Sequence, residues 1–162
     1  MLNALNEADA RAALTRCCGA ARWVTGMLAR RPFSSTSVLH ASADEVWAAM
    51  KRDDVLEAFA HHPRIGGSAT AVAAPEAQAW SSQEQARVAD AGAETRAALV
   101  SANERYFARF GYIFIVCATG KSADEMLALL EARLPNDPER ELDVAAAEQA
   151  KITHLRLEKL AS

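Results

Sequence analysis

The chain has 162 residues, 51% of them apolar, and carries 18 Lys and Arg against 21 Asp and Glu, for a formal charge of −3. That length suits one domain and can bury roughly 68–70% of the surface of the unfolded chain, so folding needs neither a disulfide nor a metal. There is no basic excess to neutralise phosphates, no apolar run near the ~18 residues of a membrane span, and no basic-then-apolar leader ahead of Asn3, Glu7 and Asp9, so nucleic-acid binding, membrane insertion and secretion are not expected.

Helix signals dominate in chain order. Residues 7–18 and 20–30 read as two helices interrupted near Gly19 and stopped by Pro32, with a polar break over 33–36. Ser42-Ala43-Asp44-Glu45 has the form of a capping box opening a helix towards Lys51, with Val46, Trp47 and Met50 at helical spacing. A short helix over 55–60 is expected to end before Pro63 and Gly66-Gly67. Gly67 to Pro75 is a small-residue loop. Ser81-Ser82-Gln83-Glu84 has the form of a second box, opening the longest helix towards Phe110 with Val88, Leu99, Val100, Tyr106 and Phe107 on its apolar face and Gly111 just past its end.

Tyr112-Ile113-Phe114-Ile115-Val116-Cys117 is the one strand-like stretch. It has no strand to pair with and reads as a buried extended or irregular segment. Ser122-Ala123-Asp124-Glu125 forms a third capping box for a helix to about Leu134. Asn136 or Asp137 can cap the last helix, with Pro138 in its first turn and Ile152, Leu155 and Leu160 facing inward. The expected fold is all-α, a single-domain compact bundle over 1–162, with about seven to nine helices and one short extended apolar segment. Cys17, Cys18 and Cys117 include no Cys-x-x-Cys pair and read as reduced, buried thiols of a cytoplasmic protein.

Few residues carry chemistry. His62 stands directly before Pro63, which biases it away from helical angles, and the two glycines that follow let the chain turn tightly. An imidazole there can exchange a proton near neutrality, or it can simply end a helix. Glu84 can be the reciprocal partner of Ser81 in a cap, or it can line an anion pocket with Ser81 and Gln85 at the same helix N-terminus. Arg156 can clamp a carboxylate, or it can be a solvated or acid-paired arginine. There is no His-Glu-x-x-His, no Gly-x-Ser-x-Gly, and Gly120-Lys121-Ser122 lacks the upstream glycine of a phosphate loop, since Ile115 stands there.

The ordered set of these segments resembles the 2-oxo-4-hydroxy-4-carboxy-5-ureidoimidazoline (OHCU) decarboxylases. The matching pieces are Cys17-Cys18-Gly19-Ala20 through Trp23 to Arg31-Pro32-Phe33, Ala60-His61-His62-Pro63-Arg64-Ile65-Gly66, Ser81-Ser82-Gln83-Glu84-Gln85, Asn103-Glu104-Arg105-Tyr106 with Phe110 to Ser122, and Lys151-Ile152-Thr153-His154-Leu155-Arg156-Leu157. The resemblance implies an all-α, commonly dimeric enzyme without metal or organic cofactor that converts OHCU, a small anionic ureido-imidazoline, to S-allantoin and carbon dioxide in urate breakdown. It implies that His62 is the catalytic histidine and Glu84 its acidic partner. It also implies that Pro63, Ser81, Ser82, Gln83, Gln85, the stretch Ile113, Phe114, Ile115, Val116 and Cys117, and Arg156 bind substrate. The alanine-rich stretch between Gly67 and Trp80 departs from the charge expected there. Two rival readings are a related enzyme acting on another ureido-imidazole acid and a helical interaction module without catalysis.

Overall fold

The computed structural model describes residues 2–65, 80, 83–84 and 91–161. Among the described residues there are seven α-helices and no strand: α1 (Glu7–Cys17), α2 (Ala21–Leu28), α3 (Thr36–Ala48), α4 (Arg52–Ala60), α5 (Ala93–Phe110), α6 (Ala123–Arg133) and α7 (Pro138–Ala161). The all-α expectation is met. Gly66 to Ala79, with Gly67 to Pro75 inside it, Ser81, Ser82, Gln85 and Val88 lie outside the described residues. The chain divides into two units, one formed by Met1–His61 with Ala150–Ser162 and the other by His62–Gln149.

In the first unit, the Asn6 side chain accepts from the Asp9 amide at 2.8 Å and starts α1. The break before α2 falls where Gly19 placed it. Gly19 is dictated by packing, because a Cβ there would lie 2.1 Å from Cγ of His61. His61 cannot yield easily, since its Nδ1 donates to the Glu57 carbonyl at 2.9 Å. Gly19→Ala is therefore expected to cost about 1–3 kcal/mol of stability by overpacking, read as a lower urea midpoint with helical circular dichroism retained in the folded baseline.

The box at Ser42 does not open a helix. α3 starts seven residues earlier, where Ser35 Oγ accepts from the Val38 amide at 3.2 Å, and Ser42 lies inside it. Serine and acid at cap spacing is a local pattern, and the cap is the serine whose own backbone is extended. The helix after it starts at Arg52, with the Asp54 carboxylate accepting from the Lys51 amide at 2.9 Å. Trp23, Leu14, Met27 and Phe59 are almost wholly buried in this unit, and Trp23 Nε1 donates to the Ala43 carbonyl at 3.3 Å.

In the second unit, the helix expected to run from Ser81 to Phe110 is interrupted. Gly92 has an extended ψ of 155° and caps α5, so the 24-residue α7 is the longest helix described. After proline, glycine is the residue least able to carry a helix through its interior. Leu99 and Tyr106 are buried on α5 as expected, whereas Val100 and Phe107 are each 42% exposed. Gly111 ends α5 with a φ of 79°, its amide donating to the Phe107 carbonyl at 2.8 Å. Both hydrogen bonds of the Ser122–Glu125 box are present at the start of α6. Asp137 is the cap of α7, its carboxylate accepting from the Glu139 and Arg140 amides. Along the C-terminal part of α7, Ile152 and Leu157 are buried, while Leu155 and Leu160 are half-buried.

Candidate active site

His62 opens the second unit on a short irregular segment after α4. Three contacts hold that segment. His62 Nε2 lies 2.7 Å from Oε1 of Gln149, a fully buried residue of α7. The Arg64 guanidinium stacks 4.8 Å from the centre of the Phe107 ring on α5. Ile65 is buried, and its carbonyl accepts from Asn103 Nδ2 at 3.3 Å. The same Asn103 amide group donates to the Leu99 carbonyl at 2.9 Å, so the turn after His62 is tied to the backbone of α5. His62 and Pro63 are half-buried, which suits a proton carrier that a solute must reach.

The segment 113–117 is the irregular, buried piece that the sequence implies. Phe114, Ile115, Val116 and Cys117 are buried and Ile113 is half-buried. With no strand among the described residues to pair with it, its backbone polar groups need side-chain partners. Cys117 N–H donates to Glu148 Oε2 at 2.7 Å, its carbonyl accepts from Lys121 Nζ at 2.7 Å, and the Ile115 carbonyl accepts from Arg133 Nη1 at 2.7 Å. Arg133 also caps the face of Phe114, 4.5 Å from the ring centre.

Behind this wall lies a buried charge network. Oε1 of Glu141, a residue with no exposed surface, accepts from Arg133 Nε at 2.8 Å and from the Tyr106 hydroxyl and forms an ion pair with Arg133 Nη2 at 2.6 Å, while Asn136 Nδ2 donates to Oε2 at 2.8 Å. Burial, and then the hydrogen bond to Glu141, push the Tyr106 phenol well above its ordinary range. The Cys117 thiol is also raised, chiefly by burial. Lys121 opposes that shift, and the Glu148 and Glu84 carboxylates add to it. Glu84 is helical and half-buried, so its charge reaches the wall segment, and Gln83 is exposed.

Arg156 belongs to the first unit. It is 3% exposed, which rules out the solvated reading, and its Nη1 donates to the Arg16 carbonyl at 3.3 Å. Its charge acts on Cys17 and Cys18, but burial dominates there and pushes each thiol from an ordinary value of 9.0 up to about 12. Between pH 9 and 12 an unfolded chain sheds these protons while the folded chain keeps them, so stability must fall as pH rises through that window. The slope is at most about 1.4 kcal/mol per pH unit for each thiol. A Cys17→Ala/Cys18→Ala chain is expected to lose stability less steeply than the parent between pH 8 and 10.5, measured by urea unfolding.

Glu141, Arg133, Glu148 and Gln149 escaped the sequence reading. Acids and an arginine on amphipathic helices look solvated, and only a census of unpaired backbone groups around 113–117 points to their use. Among the described residues no three His, Cys, Asp or Glu side chains form a group able to hold a metal, and no helix is long and apolar enough to cross a membrane.

The family model for OHCU decarboxylase matches residues 3–158. The chain belongs to the OHCU decarboxylase family. Within that family it is similar to the uric acid degradation bifunctional protein TTL of Arabidopsis thaliana, 35% identical over 147 residues that make up 90% of this chain and 45% of that protein. It therefore spans less than half the length of that relative. The 2-oxo-4-hydroxy-4-carboxy-5-ureidoimidazoline decarboxylase of Amia calva is 31% identical over 130 residues, 80% of this chain and 74% of that one. A crystal structure of an OHCU decarboxylase in the presence of (S)-allantoin superposes with a TM-score of 0.79 at 32% identity, covering 92% of this chain and 96% of that one.

Proposed function

We propose that this chain decarboxylates OHCU to S-allantoin and carbon dioxide. The observation that carries the reading is the near-complete overlap, in both chains, with the OHCU decarboxylase crystallised in the presence of (S)-allantoin. Relatives carry the corresponding activity in their names, and the motif resemblance makes His62, Glu84 and Arg156 the proposed functional side chains.

The chemistry is within reach of these residues. OHCU carries its carboxylate on an sp³ ring carbon beside an imine-like nitrogen and a carbonyl. When the carbon–carboxylate bond breaks, its electron pair spreads into that ring. The protein must hold the bond perpendicular to the ring, stabilise the developing charge and deliver one proton to one face. His62 supplies the proton from a segment pinned to α5 and α7. Glu84 orients the imidazole or the ring N–H groups, and the backbone of 113–117 forms a firm wall. Ser81, Ser82 and Gln85, outside the described residues, complete the proposal as the substrate-binding residues that the family resemblance implies. Arg156 is the anion-holding side chain that the family pattern implies. A homodimer is the assembly proposed, checked by a light-scattering mass of two chains. Three buried free thiols support a reducing, cytoplasmic location.

The test uses OHCU made fresh, followed by ultraviolet absorbance and by circular dichroism of the product. OHCU also decays unaided to racemic allantoin, so the optical signal is decisive. Accelerated decay with an S-allantoin signal supports the proposal, and decay at the unaided rate to racemic product overturns it.

A further inference from the structure

Glutamine is mostly an exposed residue, and one without exposed surface needs a reason, because a leucine or methionine would fill the space without a desolvated amide. Gln149 has no exposed surface, and its Oε1 sits 2.7 Å from His62 Nε2. An amide oxygen has no proton to give, so Nε2 carries the proton of this hydrogen bond. A neutral imidazole holds one ring proton. With Nε2 protonated, Nδ1 is the basic nitrogen.

We propose that Gln149 is a positioning residue for His62, one that locks the imidazole proton on Nε2 and makes Nδ1 the nitrogen that exchanges a proton with the substrate. The inference rests on the decarboxylase reading above. When the carboxylate leaves as carbon dioxide, the Nδ1 proton of the imidazolium goes to the ring carbon that keeps the electron pair. This leaves His62 neutral in its Nε2–H form, and solvent returns the Nδ1 proton for the next turnover.

The neighbouring residue argues for a paired role. Glu148 accepts from the Cys117 amide at 2.7 Å, so consecutive side chains of α7 hold the wall segment and the imidazole. They diverge by about 100° around one rigid helix. A shift of α7 would therefore move both together and preserve their spacing.

The test reads the ring directly. Long-range proton–nitrogen spectra of protein labelled with nitrogen-15 in its histidines, with the His62 signals assigned by their loss in His62→Ala, are expected to show the Nε2–H tautomer at pH 8. Gln149→Met, similar in length and without an acceptor oxygen, is expected to mix the tautomers. It should lower kcat roughly 10- to 100-fold through misplacement of the proton while KM stays within about threefold. Gln149→Glu keeps an acceptor oxygen and is expected to restore the tautomer and part of kcat. An Nδ1–H tautomer in the parent protein overturns the lock, and so does a folded Gln149→Met chain with parental kcat. If the tautomers respond as described while the parent protein forms no S-allantoin, the lock stands and the decarboxylase reading fails.

Discussion

His62→Ala is expected to leave a folded protein that has lost stereospecific allantoin formation, with kcat down by about 10²–10⁴-fold, the usual contribution of a positioned proton carrier. Glu84→Ala is expected to act in the same direction. The fold should survive the His62 change because its side chain is half-buried at a turn, and because the turn keeps two other anchors, Arg64 on Phe107 and Asn103 on the Ile65 carbonyl. The loss should appear in kcat more than in KM, since a proton delivered at the transition state contributes little to holding the ground state. Residual turnover in His62→Ala should yield racemic product, because unaided protonation can reach either face. Parental turnover with S-allantoin as sole product in His62→Ala would show that another group supplies the proton.

Glu141→Ala is expected to destabilise the protein by about 3–5 kcal/mol, the cost of stranding a buried charge. For a chain of this size that corresponds to a fall in Tm of roughly 6–20 °C. Removing the carboxylate leaves the Arg133 guanidinium buried without its acid and leaves Tyr106 and Asn136 without their acceptor. Arg133 also holds the Ile115 carbonyl, so the wall segment should loosen and KM should rise in whatever fraction remains folded. Adding Arg133→Met to Glu141→Ala removes the stranded charge and should recover part of the lost stability, as measured by thermal unfolding of the double variant. A double variant less stable than Glu141→Ala alone would mean that the arginine contributes mainly through packing on Phe114 and its bond to Ile115.

Local signals located most of the helices. Gly19, Gly111, the Ser122–Glu125 box and Asp137-Pro138 each encode a helix end within a few residues, because capping is chemistry between near neighbours. The same rules misplaced α3, since Ser42 and Glu45 satisfy the box pattern while the chain is already helical around them. They also joined α5 to the residues before Gly92, because a helical apolar period does not register a single extended ψ. The side of α5 was assigned too generously for a related reason. Phe107 is partly exposed and serves as a platform for Arg64, a use that hydropathy does not distinguish from core.

Sequence patterns were enough for an all-α fold and a buried apolar segment over 112–117, and with the family resemblance they single out His62 before Pro63 as the candidate catalytic histidine. These follow from backbone restriction, periodicity and residue type, which act over a few positions, together with an ordered set of motifs. What holds that histidine and that segment emerges only from the packed helices. Gln149 lies 87 positions from His62, Glu148 lies 31 from Cys117, and Arg133 lies 18 from Ile115. A buried amide or carbonyl without a ladder must find a partner somewhere, but which distant side chain supplies it depends on how the helices come together, and no local pattern in the chain records that.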